Sequence, residues 1–578
     1  MFTARELIGK NSMSVIDPQG SIRKTFFWFL DKDDKKKCSK LNKQNAYLYA
    51  KKFLPEFGFY KYRENDQEDG PFLIVQKCGR RVRIIGNEKD IQVQDRIFEW
   101  TLETIKTLSG IAGDLPKDLE ERIFEFETLF SKWTTRFLPR LPEVEVTVSS
   151  GETEKVPQQP LKDTPNTAYL CFTNGVVVVN KDDDPELFPY SHLPPNAFVW
   201  DNEVKDYAVD LDHLKEGPSG KWWDFLQNLA KEDHNGKWVV NPGLLQTLTT
   251  AYGYVLHDFY PPDNRRMVIL YDRTCEMKSG GNGKSIIGKS FNCVKPIHTV
   301  DMKHEKDGGN RFLFSGYTPD RRIVILSDTS RELNFERFYN LITDGFTVED
   351  KGEKKYVLSE DHSPKMVLTT NYTISNSDRS DRRRQFFVPI GTFYGTLYDR
   401  SGFTPADIHD GYLLDKRTWS DKDWSDFYAT CIHCVKEYLD QGLVPFDDTV
   451  LVDRQLLKSV AGRDDLLTDL TLHIKGVVDG PGEVSRDEVL KVFGSPEYED
   501  LNRWGDTWKV KTFKKVATGL GYQVNPGRDR FQKVVNGVTE DWYRIVPAVQ
   551  PSNPLKGFVD TPKEEGSSGD LRDFFTDD

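Results

Sequence analysis

The sequence predicts a multidomain α/β protein organised around a parallel sheet, and three observations carry that prediction. The chain runs to 578 residues, which at about 150 residues per domain implies roughly four modules. From Met267 to about Phe393, short apolar strand patterns alternate with helical ones, as in consecutive parallel β-α units. A glycine-rich loop separates the first of those strands from its helix. The composition supports real cores: 37% hydrophobic, 12% aromatic and 29% charged residues exclude wholesale disorder and a collagen-like chain.

The rest of the composition narrows the setting. Aliphatic runs are short, as at Val176 to Val179, and Met1-Phe2-Thr3-Ala4-Arg5-Glu6 lacks a basic-then-apolar pattern. Neither membrane spanning nor secretion is expected, and a cytoplasmic location is. Seven cysteines suit a reducing compartment. A formal net charge of -12 confines any nucleic-acid contact to local patches.

Taken in order, residues 1–148 form an α+β domain whose role no motif assigns. Phe72 to Val75 and Arg81 to Ile85 read as paired strands around Cys78-Gly79, followed by a helix from Ile97 to Leu108. Residues 149–165, with Pro157, Pro160 and Pro165, read as a linker. Residues 166–262 open with a strand pair around Asn174-Gly175 and continue into helices carrying Trp222, Phe225, Leu226 and Leu229, then Leu244 to Leu256. Residues 263–400 hold the α/β alternation, 401–454 a helical connection, 455–548 a small α+β unit and 549–578 an acidic tail. Cys431-Ile432-His433-Cys434 has half the spacing of a zinc site. It lies on a helical stretch without a second pair, so buried thiols are expected.

Met267 to Tyr271 is an apolar strand, Ser279-Gly280-Gly281-Asn282-Gly283-Lys284-Ser285 a loop, and Ile286-Ile287 the start of a helix. Glycines let backbone N–H groups turn around phosphate oxygens, and the helix N-terminus adds positive potential. Lys284 is then expected to reach the β and γ phosphates and the Ser285 hydroxyl to ligate Mg²⁺, so ATP with Mg²⁺ is the expected ligand. Lys278 departs from the general pattern, which has glycine there.

Further parts follow. Ile323 to Ser327 is an apolar strand ending in Asp328, a carboxylate that can hold Mg²⁺ or polarise water, alone or with a more distant acid. Lys365 to Thr370 is another, ending in Asn371, whose amide can serve a γ-phosphate and a water together. Arg379, Arg382, Arg383 and Arg384 precede a further strand, Phe386 to Ile390, and an arginine offered across a subunit boundary can stabilise phosphoryl transfer. Val348 to Tyr356 reads as a hairpin whose Lys351, Lys354 and Lys355 could meet the phosphates of a threaded strand, against three acids in the same stretch.

This set resembles the superfamily 3 helicases of viruses, phages and mobile elements, in particular the poxvirus and phage primase-helicase type. The residues that carry the resemblance are Gly280 to Ser285, the strand ending at Asp328, the lysine hairpin, Ser363-Pro364-Lys365 leading to Thr369-Thr370-Asn371-Tyr372, and the arginine cluster. It covers roughly Leu170 to Phe393, with the helical region before Met267 similar to that type's collar. The resemblance implies an AAA+ core assembled as a homohexameric ring, ATP hydrolysis at subunit boundaries and movement on single-stranded DNA. It also implies that Lys284 and Ser285 act in the phosphate loop, Asp328 in the second motif, Lys351 in the hairpin, Asn371 as sensor, and Arg383 or Arg384 as finger. The competing reading is an origin-binding initiator that uses ATP only to assemble. Ala208-Val209-Asp210-Leu211-Asp212 mimics a primase metal-binding strand, but too few residues separate it from Met267 to complete a polymerase fold.

Toward the C-terminus, Ser485-Arg486-Asp487-Glu488 is a capping box, a second helix runs from Thr507 to about Leu520, and a hairpin turns at Asn536-Gly537. Helix, helix and hairpin suggest a winged helix. Lys511, Lys514 and Lys515 on its second helix, with Arg528, Arg530 and Lys533 in the wing, are candidate contacts to duplex DNA. Leu571 and Phe574-Phe575 resemble a sliding-clamp-binding peptide and the acidic end that of a single-strand-binding protein, against a tail that only solubilises.

Overall fold

A computed structural model describes residues 1–2, 50–51, 54–63, 72–87, 91–112, 138–149, 153–261, 264–273, 281–303, 310–329, 333–351, 356–372, 374, 383–447, 461, 464–527, 531–535 and 538–547. The chain divides into two compact units. The first comprises Met1–Arg273, Ser279–Asn371 and Ser377–Phe446; the second comprises Asp447–Asp578 with two short segments, Thr274–Lys278 and Tyr372–Asn376. The architecture is mixed α/β with several sheets, one of them parallel throughout.

In the first unit, β1 (Phe59–Tyr62), β2 (Leu73–Cys78) and β3 (Arg81–Asn87) form an antiparallel meander, with helix α1 (Ile91–Ala112) following. Within the stretch expected to be a linker, described residues form short strands. β4 (Glu145–Ser149) and β5 (Thr153–Pro157) pair as a hairpin, because Val146, Val148 and Val156 alternate with polar residues. β6 (Gln159–Pro160) then sits at the edge of the meander's sheet, where the N–H that Pro160 lacks is not needed.

β7 (Thr167–Phe172), β8 (Gly175–Asn180) and β9 (Glu186–Phe188) form a separate antiparallel sheet, turning at Asn174-Gly175. β10 (Ala197–Trp200) returns to pair in parallel with both β3 and β6, so the boundary expected at residue 148 runs through a continuous sheet. Asp201 fastens the junction by pairing with Arg81 and Arg83. The segment resembling a primase strand is not a strand: the Asp210 carboxylate caps a short helix, Leu211–Lys215, accepting from the Asp212 N–H at 3.1 Å.

Three helices cover the next layer: α2 (Gly220–Leu229), α3 (Pro242–Leu256), and later α6 (Asp421–Gln441), with the hairpin β11 (Lys231–His234) and β12 (Lys237–Val240) between the first two. Gly253 lets α3 and α6 touch, since a Cβ there would lie 1.9 Å from the Cys434 carbonyl oxygen. Cys431 and Cys434 are both buried on α6, as expected for core thiols.

The parallel sheet comprises β13 (Met267–Asp272), β14 (Ile297–Asp301), β15 (Ile323–Ser327), β18 (Lys365–Thr370) and β19 (Gln385–Ile390) in the order β14-β15-β18-β13-β19. β13 and β18 are buried along their whole length, as strands covered on both faces must be. Helix α4 (Lys284–Phe291) follows β13, α5 (Phe393–Ser401) follows β19, and the hairpin β16 (Phe346–Val348) and β17 (Tyr356–Leu358) stands between β15 and β18 in sequence.

At the N-terminal ends of β14, β15 and β18 lies a buried ionic network. Arg322 pairs with Glu203 and, at 3.1 Å, with Asp258. Lys295 faces Asp163 at 3.6 Å, and the Asp163 carboxylate accepts from the N–H groups of Tyr169 and Asp258. Lys365 donates to the Phe259 carbonyl at 2.7 Å, its ammonium 3.8 and 4.0 Å from the rings of Tyr254 and Tyr260. Each charge is paired or cation–π held, as desolvation requires. The network anchors residues 163–260 to one edge of the sheet and leaves the opposite edge for loops.

His362 lies beside this network, and burial, reinforced by Lys162 and Arg322, pushes its pKa down to about 4 from 6.5; burial also lowers that of His257. The unfolded chain therefore binds more protons than the folded one below pH 6.5, and the stability these groups confer is complete above 6.5 and lost as pH falls toward 4. Thermal melts should show the midpoint falling across that window, and His362→Gln should flatten the slope.

Candidate functional site

The C-terminal ends of β13, β15 and β18 share one edge of the sheet. After β13 the chain passes to Gly281, Asn282 and Gly283, then enters α4. Gly281 and Gly283 have φ of +91° and +101°, left-handed values that disfavour a side chain. A Cβ on Gly283 would also lie 2.9 Å from the Phe225 ring and from Leu229, so α2, outside the expected ATPase region, closely underlies the loop. Asn282 is buried; its Oδ1 accepts from the Gly395 N–H of α5 at 2.9 Å, and its Nδ2 has no partner among the described residues.

Lys284, on the first turn of α4, pairs with the Asp272 carboxylate; their side chains are 10% and 0% exposed. Ser285 beside it is exposed. Gly280 and Lys278 lie outside the described residues. Among the described residues nothing lies within 4 Å of a Cβ on Gly281, and that opening, the buried Asn282 amide and a cation at a helix N-terminus together fit an anionic ligand.

Asp328 directly follows β15 with φ +52° and is exposed, its N–H donating to Thr369 Oγ1 at 3.4 Å. Asn371 directly follows β18 and is half-buried. Tyr271 pairs with Thr370 and Leu326 with Leu368. β18 therefore sets Asn371 between the glycine loop and Asp328, across two strand spacings of about 10 Å. Two acids at this edge went unnoticed in the sequence, Asp272 and Asp301, the latter level with Ser327. The available signal was the same for both: a carboxylate as the last residue of a strand.

Arg383 and Arg384 do not join this group. They precede β19, whose Gln385 pairs with Met267, which places them at the other end of the sheet, about 17 Å away along β13. Arg383 is exposed, whereas the Arg384 guanidinium lies 4.4 Å from the centre of the Tyr339 ring. Arg379 and Arg382 lie outside the described residues.

Lys351 is exposed between β16 and β17. Glu349 faces Arg311 at 3.4 Å, and Asp350 accepts from Ser315 Oγ at 2.6 Å and the Gly316 N–H at 2.8 Å. Two of the hairpin's acids are thus engaged by residues 311–316, which strengthens the electrostatic case for Lys351. Lys354 and Lys355 lie outside the described residues.

The second unit contains α7 (Asp464–Asp479), β20 (Glu483–Ser485), α8 (Arg486–Val492), α9 (Asp506–Gly519), β21 (Tyr522–Val524), β22 (Phe531–Val535) and β23 (Val538–Pro547). β20, β21 and β22 all pair antiparallel with β23. Lys511 and Lys515 are exposed on α9, while Lys514 is half-buried with its ammonium 4.9 Å from the Tyr543 ring. In the hairpin, Lys533 and Arg544 both pair with Glu483. Arg528, Arg530 and the acidic tail lie outside the described residues. Among the described residues, no helix is long and apolar enough to cross a membrane.

Residues 277–384 match the family described as "Family of unknown function (DUF5906)", a stretch that includes Lys284, Asp328, Lys351, Asn371, Arg383 and Arg384. No curated protein matches the chain. Among solved structures, the A form apo structure of the NrS-1 C terminal region is similar at 12% identity, covering 64% of this chain and 94% of that one, with a TM-score of 0.25. A second structure of that region, spanning residues 305–718 in its own numbering, gives 11%, 66%, 96% and 0.24. TM-scores this low assign no fold.

Proposed function

We propose that this chain is an ATP-driven DNA helicase or translocase of phage or mobile-element replication, with residues 263–400 as an AAA+ core, the preceding helices as its collar and the second unit as a winged helix. The observation that carries the reading is the common sheet edge bearing the glycine loop, Lys284, Asn371 and Asp328. Open α/β sheets bind ligands beyond the carboxyl ends of their strands.

In this reading Gly281 to Gly283 cradle the phosphates of ATP, and Lys284 exchanges Asp272 for the β and γ oxygens. Ser285 and Asp328 would hold Mg²⁺, which when bound neutralises phosphate charge. Asn371 offers the attacking water a donor and an acceptor. Arg383 is too far from its own loop and serves the loop of a neighbouring copy, which calls for a ring; six copies is the expected number. Lys351 touches the phosphates of the strand being moved.

Strand displacement from a forked DNA substrate tests the reading. ATP should support it and a non-hydrolysable analogue should not, and Lys351→Ala should lower displacement by roughly tenfold while DNA-free hydrolysis continues. Hydrolysis without displacement under all conditions would favour the origin-binding initiator.

A further inference from the structure

The second unit carries an aromatic and basic stripe that the motor reading leaves unused. Trp504, 42% exposed, stacks on Trp508 with ring centres 5.1 Å apart and planes 25° from parallel. Trp508 in turn meets Phe493 edge-on at 6.3 Å, which fixes the pair against the core. Along α9, Trp508, Lys511 and Lys515 are spaced i, i+3 and i+7, so they line one face. Phe513, Val516 and Ala517 turn inward from a different face. Asp506, the acid in the first turn, is held by Arg486 at 3.1 Å. The result is a stacking ring beside two exposed ammonium groups one helical turn apart.

We infer that this face binds unpaired nucleotides, a base stacking on Trp504 while adjoining phosphates meet Lys511 and Lys515. A purely electrostatic contact with duplex DNA has no use for an exposed indole, because paired bases are already stacked on one another and present only edges in the grooves. An unpaired base offers its π-face, and lysines at one-turn spacing meet successive phosphates of an extended strand. The inference rests on the nucleic-acid part of the function proposed above and names its substrate at this surface: the single-stranded side of a junction.

Fluorescence anisotropy of labelled oligonucleotides with the full-length protein, in the absence of nucleotide, tests it. Trp504→Ala should weaken binding of a single-stranded or forked oligonucleotide about tenfold, and Trp504→Phe should retain most of it. On an abasic oligonucleotide of the same length the wild type and Trp504→Ala should bind alike. Joint replacement of Lys511 and Lys515 by alanine should instead reduce the slope of log affinity against log salt by up to about 2. Wild-type affinity of Trp504→Ala for single strands would overturn the inference, as would an equal loss on blunt duplex or abasic strands. Thermal melts of each variant separate a lost contact from a lost fold. Because binding is read without ATP, failure here leaves the hydrolysis reading standing, and absent hydrolysis leaves a Trp504-dependent affinity intact.

Discussion

Replacing Lys284 by alanine should abolish ATP hydrolysis and, at the same time, lower the melting temperature. The first effect follows from the role proposed for its ammonium: losing one cation that stabilises charge developing on a transferred phosphoryl group costs roughly two to three orders of magnitude in turnover. The second follows from its partner. The Asp272 side chain is fully buried against Lys284, and taking one member from a buried pair costs about 3 kcal/mol because the remaining charge loses its counter-ion. A bare loss of activity would therefore confuse chemistry with stability. Asp272→Asn in the Lys284→Ala background should restore the melting temperature without restoring phosphate release. Turnover in a folded double variant at the wild-type rate would remove Lys284 from the mechanism, and with it the motor reading.

The parts of this site that could be read from sequence are those with a local signal. β13, β15, β18 and β19 appear as short runs with an apolar centre, because strands buried on both faces are largely apolar. The hairpin around Lys351 and helix α9 were likewise placed to within a few residues, since alternation and a 3.6-residue stripe are short-range patterns. What escaped was long-range. The pairing of β10 with β3 joins Trp200 to Val82 through a ladder of two residue pairs, too short to leave a periodic trace. Prolines at 157 and 160 read as linker residues, yet one ends a strand and the other occupies a sheet edge. The contact of Phe225 and Leu229 with Gly283 and the pairing of Lys284 with Asp272 both depend on how α2 and β13 meet the loop, which no window of the sequence contains. No local pattern marks Arg322, Glu203 and Asp258, and only burial reveals them as an internal anchor.

Two variants that are each inactive, Lys284→Ala with Asp272→Asn and Arg383→Ala, should regain hydrolysis when their subunits are mixed. The reasoning is geometric. Within one copy, Arg383 stands at the N-terminal end of β19 while the glycine loop stands at the C-terminal end of β13, and the parallel register of the two strands fixes that separation. Its own loop is out of reach, so a transition-state role needs a second copy that turns the Arg383 end of its sheet toward the first copy's loop, a head-to-tail contact that closes into a ring. In an equal mixture, about a quarter of such boundaries would unite an intact loop with an intact arginine. An arginine finger is worth roughly three orders of magnitude or more in turnover, so that fraction would stand well above the near-zero rate of either variant alone. Arg384, its guanidinium resting on Tyr339, should respond differently: Arg384→Ala should lose stability before it loses its ability to complement. Phosphate release measured across a series of mixing ratios decides the matter, since action across a boundary gives a curve that peaks between the pure variants and action within one copy gives a flat line.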